Sequence, residues 1–346
     1  MIQPERLRGS WLAVSFLALF AACVAGLTVG PADIGASAAV REVLDRLPLI
    51  NLDSGLTEIE SNIVWEVRAP RVALGVLVGT ALALAGGSYQ AVFRNPLADP
   101  YLLGTAAGAG LGATIAIVSD VGDGVGAFDP VPMSAFAGAL VAVALSWILG
   151  AAGDRRRSPA SLLLAGVAVA AFLTAMQTYF LQRNVDDIRE VYQWILGRLS
   201  IASWDAVLVL LPYVVVTSIV MLLFARVLDV MSVGDAEATT LGIRPGRVRA
   251  IVVTAATLAT AAAVAASGLI AFVGLIVPHT VRLLFGSSNR VVLPLSAVLG
   301  AAFLVGVDLV ARTVSSPAEI PIGVVTAVFG APFFIIVLRS SRRFLA

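Results

Sequence analysis

No lysine occurs in this 346-residue sequence; all 23 of its basic residues are arginine. Histidine and cysteine each occur once, as His279 and Cys23. A single cysteine excludes a disulfide within the chain and any multi-cysteine metal site. A single histidine excludes the His/Glu pairs of metal hydrolases. Charge is scarce as well, at 13% of residues, where soluble domains carry about a quarter. The 22 acidic residues nearly balance the arginines, leaving a net charge of +1, so nucleic acid is not expected as a partner. No Gly-rich loop ends in Lys and Ser or Thr, and no nucleophile elbow is present. The chain therefore shows neither a catalytic constellation nor a nucleotide site of its own.

Apolar residues are abundant. They make up 59% of the chain, and the mean hydropathy is +0.96. Such a chain has too little polar surface to cover a water-facing globule, and about 20 apolar residues suffice to cross a bilayer. Apolar runs bounded by charge, Pro or Gly predict an all-α, polytopic membrane protein. It reads as one transmembrane domain over 1–346, with about ten spans near 11–29, 68–92, 102–118, 131–151, 161–180, 206–225, 250–266, 270–284, 291–310 and 322–338. Between the second and third spans, residues 93–100 are too polar and proline-broken for a lipid-exposed helix. A short interfacial helix is expected near 190–199.

Arginine placement sets the expected orientation. With the N-terminus in the cytoplasm, one side collects Arg6, Arg8, Arg94, Arg155–Arg157, Arg244, Arg247, Arg249, Arg282, Arg290, Arg339, Arg342 and Arg343. An even span count returns the C-terminus to that side. Acids deep in the spans, which mark ion-coupled carriers, are almost absent. Asp308 is the nearest case, and it lies four residues before Arg312, at ion-pair spacing on one helix face. His279, beside Pro278, reads as a structural hydrogen-bonder. A faint duplication pairs Gly86, Pro96, Leu102 and Gly104 with Gly268, Pro278, Leu284 and Gly286. Pro132, Ser134, Ala135 and Gly138 pair in the same way with Pro294, Ser296, Ala297 and Gly300.

Several blocks in register carry a family resemblance. Arg68-Ala69-Pro70-Arg71 precedes an apolar run to Gly86, then Phe93-Arg94-Asn95-Pro96-Leu97-Ala98-Asp99-Pro100 and Leu103-Gly104. Leu164-Ala165-Gly166-Val167, Trp194-Ile195-Leu196-Gly197, Gly234-Asp235-Ala236-Glu237-Ala238 and Leu241-Gly242 follow. Gly274 to His279, Ala311-Arg312, Glu319 to Thr326 and Gly330-Ala331-Pro332 complete the set. From about residue 65 onward the chain resembles the FecCD-type, BtuC-like permeases of bacterial ABC importers for iron-siderophores, haem and cobalamin.

That resemblance implies a type II importer permease working as a homodimer or close heterodimer in the bacterial inner membrane, with both termini cytoplasmic. It also implies separate ABC ATPase subunits and an extracytoplasmic substrate-binding protein. The chain itself would bind no cofactor, ATP and Mg belonging to the ATPase. Ferric siderophore is the leading substrate, with haem or cobalamin as alternatives; an ion-coupled secondary carrier is the rival class. Carried over by position, Arg68, Arg71 and Arg312 would stand exposed at outer span ends and dock acidic groups of the binding protein, the plain alternative being interfacial snorkelling. Residues 231–249 would form the ATPase coupling segment. Within it Gly234, Asp235, Glu237, Ala238, Leu241 and Gly242 make a short helix with a Gly stop that offers Ala238 and Leu241 to the partner. Asn95, Pro96 and Leu97, with Ser158 and Ser161, would form the cytoplasmic gate, although Pro159 and Ala160 depart from the family pattern there. Gly104, Gly108, Gly110, Gly112 and Gly166 permit close helix packing or shape a bland path.

Overall fold

The computed structural model describes residues 7–30, 32, 34–46, 52–120, 129–153, 159–316 and 318–342. Among them every regular element is helical. The helices are α1 (Gly9–Thr28), α2 (Ala36–Asp45), α3 (Glu58–Asn62), α4 (Ala69–Phe93), α5 (Thr105–Val118), α6 (Pro130–Gly153), α7 (Pro159–Arg183) and α8 (Ile188–Ile195). They continue as α9 (Trp204–Leu223), α10 (Ala225–Val233), α11 (Asp235–Thr240), α12 (Pro245–Ser267), α13 (Val273–Phe285), α14 (Asn289–Thr313) and α15 (Ile322–Arg342). Among the described residues seven helices are long and apolar enough to cross a membrane, and α5, α13 and most of α15 are shorter apolar helices. The chain is a multi-pass membrane protein. Each expected segment overlaps one of these ten helices, and the short helix expected near 190–199 is α8.

The end at which α1 finishes is called upper here, and the opposite end lower. The second apolar helix starts earlier than the hydropathy implied. A wide helical turn over Ile63–Arg68 joins α3 to α4, giving one rod of 36 residues from Glu58 to Phe93. Thr57 and Glu60 cap its start reciprocally. This Thr-x-x-Glu signature is visible in the sequence, but the charges at 58–66 obscure it in an apolar-run reading.

The bundle is organised around α4. In its most apolar window 78% of residues are buried, against 28% in α7 and in α9. The sequence of α4 explains the difference, because its glycines let neighbouring backbones close in. A Cβ on Gly86 would fall on the Gly274 carbonyl of α13, and one on Gly79 would strike Gly300 of α14. The outer helices leave Leu164, Val167 and Phe172 of α7 and Leu208, Val216 and Leu223 of α9 exposed, as suits surfaces facing lipid or another subunit.

Two non-helical stretches lie partly inside the bundle. Residues 94–104 and 268–272 meet where the Tyr101 hydroxyl donates to the Ile270 carbonyl at 2.9 Å, and Ala98, Leu103 and Ile270 are buried. Irregular backbone is tolerated there because protein encloses it.

The first half of the apparent duplication does not correspond in space. Gly86 is mid-helix whereas Gly268 ends α12 at φ 71°, and Pro96 lies in a turn whereas Pro278 is inside α13. The second half is a shared crossing device: Gly138 meets Gly108 of α5, as Gly300 meets Gly79 of α4. The small-residue stripe likewise serves packing. Gly108 and Gly112 press on the α6 backbone at Gly138 and Ser134, and Gly166 presses on Leu102.

Candidate functional site

At the upper end, two of the three arginines meet the finish of α1. Arg68 Nη1 donates to the carbonyls of Leu27 and Thr28, both at 2.8 Å, and Nη2 donates to Ala32 at 2.6 Å. Arg312 Nη2 donates to the Gly26 carbonyl at 2.6 Å. The last carbonyls of a helix have no intrahelical partner and carry partial negative charge, so two guanidinium groups here satisfy and neutralise the α1 terminus. Arg71 is held differently. It forks onto Asp308 at 2.8 Å and Glu319 at 2.7 Å, joining α4, α14 and the loop before α15. Arg312 lies 3.7 Å from Asp308 at the anticipated i, i+4 spacing, but the closer partner of Asp308 is Arg71.

The exposure expected for these arginines is corrected. Arg68 is 4% exposed and Arg71 and Arg312 are 8% exposed. Each is occupied by internal acceptors, because a cation at a span end is held best by the carbonyls and carboxylates packed beside it. The only solvent-facing member of the cluster is Glu319, whose side chain is 41% exposed.

A second upper-end network orders the segment between α1 and α4. Glu42 of α2 accepts from Ser61 Oγ at 2.6 Å and Ser54 Oγ at 2.7 Å, with Arg46 at 3.4 Å. These donors, Ser61 first, hold its carboxyl below the usual range. Nearby, Trp204 of α9 donates to the Trp65 carbonyl at 3.0 Å and packs on its ring. A cavity of about 730 Å³ opens between α6, α8, α9 and α12, bordered by Phe136, Trp194, Arg198, Asp205 and Tyr213. None of the five glycines considered as path-shapers lines it.

The lower end carries the expected coupling and gate residues. Gly234 separates α10 from α11 in extended backbone. After α11, Gly242 adopts φ 80°; its N–H donates to Thr239 and the Ile243 N–H donates to Ala238, at 2.9 and 3.0 Å. This pair of bonds is the Schellman stop that a glycine at this position favours. The predicted surface is half right. Leu241 is 70% exposed, but Ala238 is fully buried, because the inner face of so short a helix rests on the bundle. Ala238 is therefore a packing residue and is withdrawn from the partner-facing set.

Asp235 opens α11 and forms ion pairs with Arg94 and with Arg249, the latter at 3.1 Å. Arg94 ends α4 in the left-handed region at φ 49°. Directly after it, Asn95 makes a side-chain turn by accepting from the Leu97 N–H at 3.0 Å, with Pro96 exposed. His279 approaches the Pro96 backbone. Ser161 lines a small pocket with Gly150, Leu162 and Arg249; Ser158 lies outside the described residues. Asp229 of α10 accepts from the Asn289 N–H at 2.5 Å and Ser288 Oγ at 2.7 Å, capping α14 from another helix. The sequence reading used Arg94 and Arg249 for orientation and gave no pairing to them or to Asp229, whose partners are remote in the chain.

Comparison with known proteins agrees with this layout. The model of the FecCD transport family matches residues 17–340. The chain belongs to the FecCD transport family. It is 39% identical over 289 residues to the cobalamin import system permease protein BtuC of Halobacterium salinarum, covering 84% of this chain and 76% of that one. It is 37% identical to the Fe(3+) dicitrate transport system permease protein FecD of Escherichia coli, covering 81% and 86%. A metal-chelate type ABC transporter solved in an inward-facing conformation superposes with a TM-score of 0.82 at 26% identity, covering 96% of this chain and all of the other. This FecCD member is thus an ABC importer permease, a transport subunit and not an enzyme, and its family works with a separate ATPase and a binding protein. The rival reading as a self-sufficient ion-coupled carrier falls with that finding.

Proposed function

We propose that this FecCD permease imports a metal chelate across the bacterial cytoplasmic membrane, with ferric siderophore as the leading substrate. The observation that carries the reading is the match of nearly the whole chain, in sequence and in fold, to permeases of this kind. Relatives named for iron-citrate, iron-hydroxamate and cobalamin import stand at 34–39% identity. Cobalamin remains the second reading because a relative named for it is among the most similar; haem is the third. Uptake of labelled ferric siderophore, haem and cobalamin by a deletion strain with and without the gene tests the order. Gene-dependent uptake of cobalamin alone would reverse it.

The mechanism in this reading is alternating access. ATP and Mg act on the partner ATPase, and this chain binds no cofactor. The lower end faces the cytoplasm with both termini, as the arginine bias supports. There the 231–249 segment presents Leu241 to the ATPase, and the turn at Asn95, Pro96 and Leu97 closes the path together with Ser158 and Ser161. A second permease, most simply another copy, covers exposed apolar faces such as that of α7. At the upper end the binding protein docks around Glu319 and residues 314–316 and 318–321. Arg71, Arg68 and Arg312, all buried, support that surface from below.

A further inference from the structure

At the lower end one carboxylate pairs with two arginines that adjoin the proposed gate residues. Asp235 is the first residue of α11, and its side chain is 45% exposed. One partner, Arg94, is the last residue before Asn95, Pro96 and Leu97. The other, Arg249, has a buried side chain that lines the same small pocket as Ser161 at the start of α7. Among the described residues Asp235 is the acidic partner of both arginines.

The flanking helix is held separately. Asp229 ties α10 to the start of α14, and the extended Gly234 link leaves α11 to follow its own contacts. We propose that Asp235 is a positioning residue for gating: it transmits displacement of α11 to the 95–97 turn through Arg94 and to the start of α7 through Arg249. A push on exposed Leu241 moves α11, Asp235 moves with it, and the 95–97 turn and the start of α7 shift together. The Arg94 pair, exposed on both sides, suits the task, because solvent lets it form and break at little cost, whereas a pair buried on both sides would lock the gate. The inference rests on the reading of 231–249 as the ATPase contact.

The test uses the permease assembled with its ATPase, in a Cys23→Ser background. Leu97→Cys reports thiol reactivity of the gate turn with and without ATP and Mg. Leu241→Cys reports crosslinking to the ATPase. We expect nucleotide to change Leu97→Cys reactivity about fivefold or more, and Asp235→Asn to reduce that change below twofold while the crosslink persists. Arg94→Gln should behave alike although it leaves the first turn of α11 intact, which separates the ionic link from a role in starting the helix. Asp235→Glu, or Asp235→Arg combined with Arg94→Asp, should restore the response in part. A full response in Asp235→Asn or Arg94→Gln, with the crosslink intact, overturns the relay alone. No nucleotide response in the parent protein also overturns it. No crosslink in the parent protein overturns the coupling reading, and the relay with it.

Discussion

The two ends of the bundle use arginine and carboxylate in opposite ways. At the upper end Arg71 and Asp308 are buried and mutually saturated, and Arg68 and Arg312 close a helix terminus. At the lower end the Asp235 carboxylate is nearly half exposed and shared between two arginines from different elements. Buried charge is expensive to leave unpaired and so fixes geometry. Partly hydrated charge exchanges partners readily and so can carry motion. The upper cluster builds the frame and the lower one can move against it.

The largest effect should come from breaking the buried cluster. Asp308→Asn leaves Glu319 as the one carboxylate on Arg71, and loss of the charge partner in a buried pair costs about 3–5 kcal/mol. The measurement is the thermal midpoint of the full chain in detergent. Replacing both partners, Arg71→Met with Asp308→Leu, should recover most of that loss, since apolar substitutes for a buried pair are often neutral. If the double variant is no better than the single one, the pair does more than satisfy itself.

Arg68→Leu comes next. It strips charged donors from the carbonyls of Leu27, Thr28 and Ala32; hydrogen bonds to charged groups contribute about 1.5–3 kcal/mol each and do not add fully. A loss of about 2 kcal/mol is expected, with faster proteolysis after α1. At the lower end, Asp229→Asn weakens the cap on α14 and should cost about 1 kcal/mol. A loss as large as that of Asp308→Asn would erase the contrast between the ends.

The smallest effect is one of pH. The Glu42 carboxyl is held below its ordinary value of 4.5, so its contribution is complete above that value and is lost as pH falls through the lowered one. The thermal midpoint should therefore drop on acidification below about 4.5, and Glu42→Gln should flatten that part of the profile. A cross-check uses salt, since about 1 M ions cut the screening length to roughly 3 Å. Nucleotide response of the gate turn should weaken in salt more than thermal stability does.

Local features were legible before the fold was known. The Schellman stop at Gly242 follows from glycine after a short helical run, and the 3.7 Å approach of Asp308 and Arg312 follows from their i, i+4 spacing. The burial of Ala238 was not legible, because six residues can turn any side toward the bundle and only docking selects it. Nor was the burial of Arg68, Arg71 and Arg312. Sequence placed them at span ends, but Arg68 caps carbonyls about forty residues back and Arg71 pairs 237 residues ahead.

Hydropathy and arginine spacing alone predicted a polytopic membrane protein of about ten spans, since both follow from the cost of placing polar groups in lipid, and the motif blocks in register carried the permease resemblance. Which charges lie buried, which face water and which elements they join was decided only in three dimensions. Ion pairs and helix crossings between distant segments depend on contacts of a few ångströms, and no local pattern encodes those.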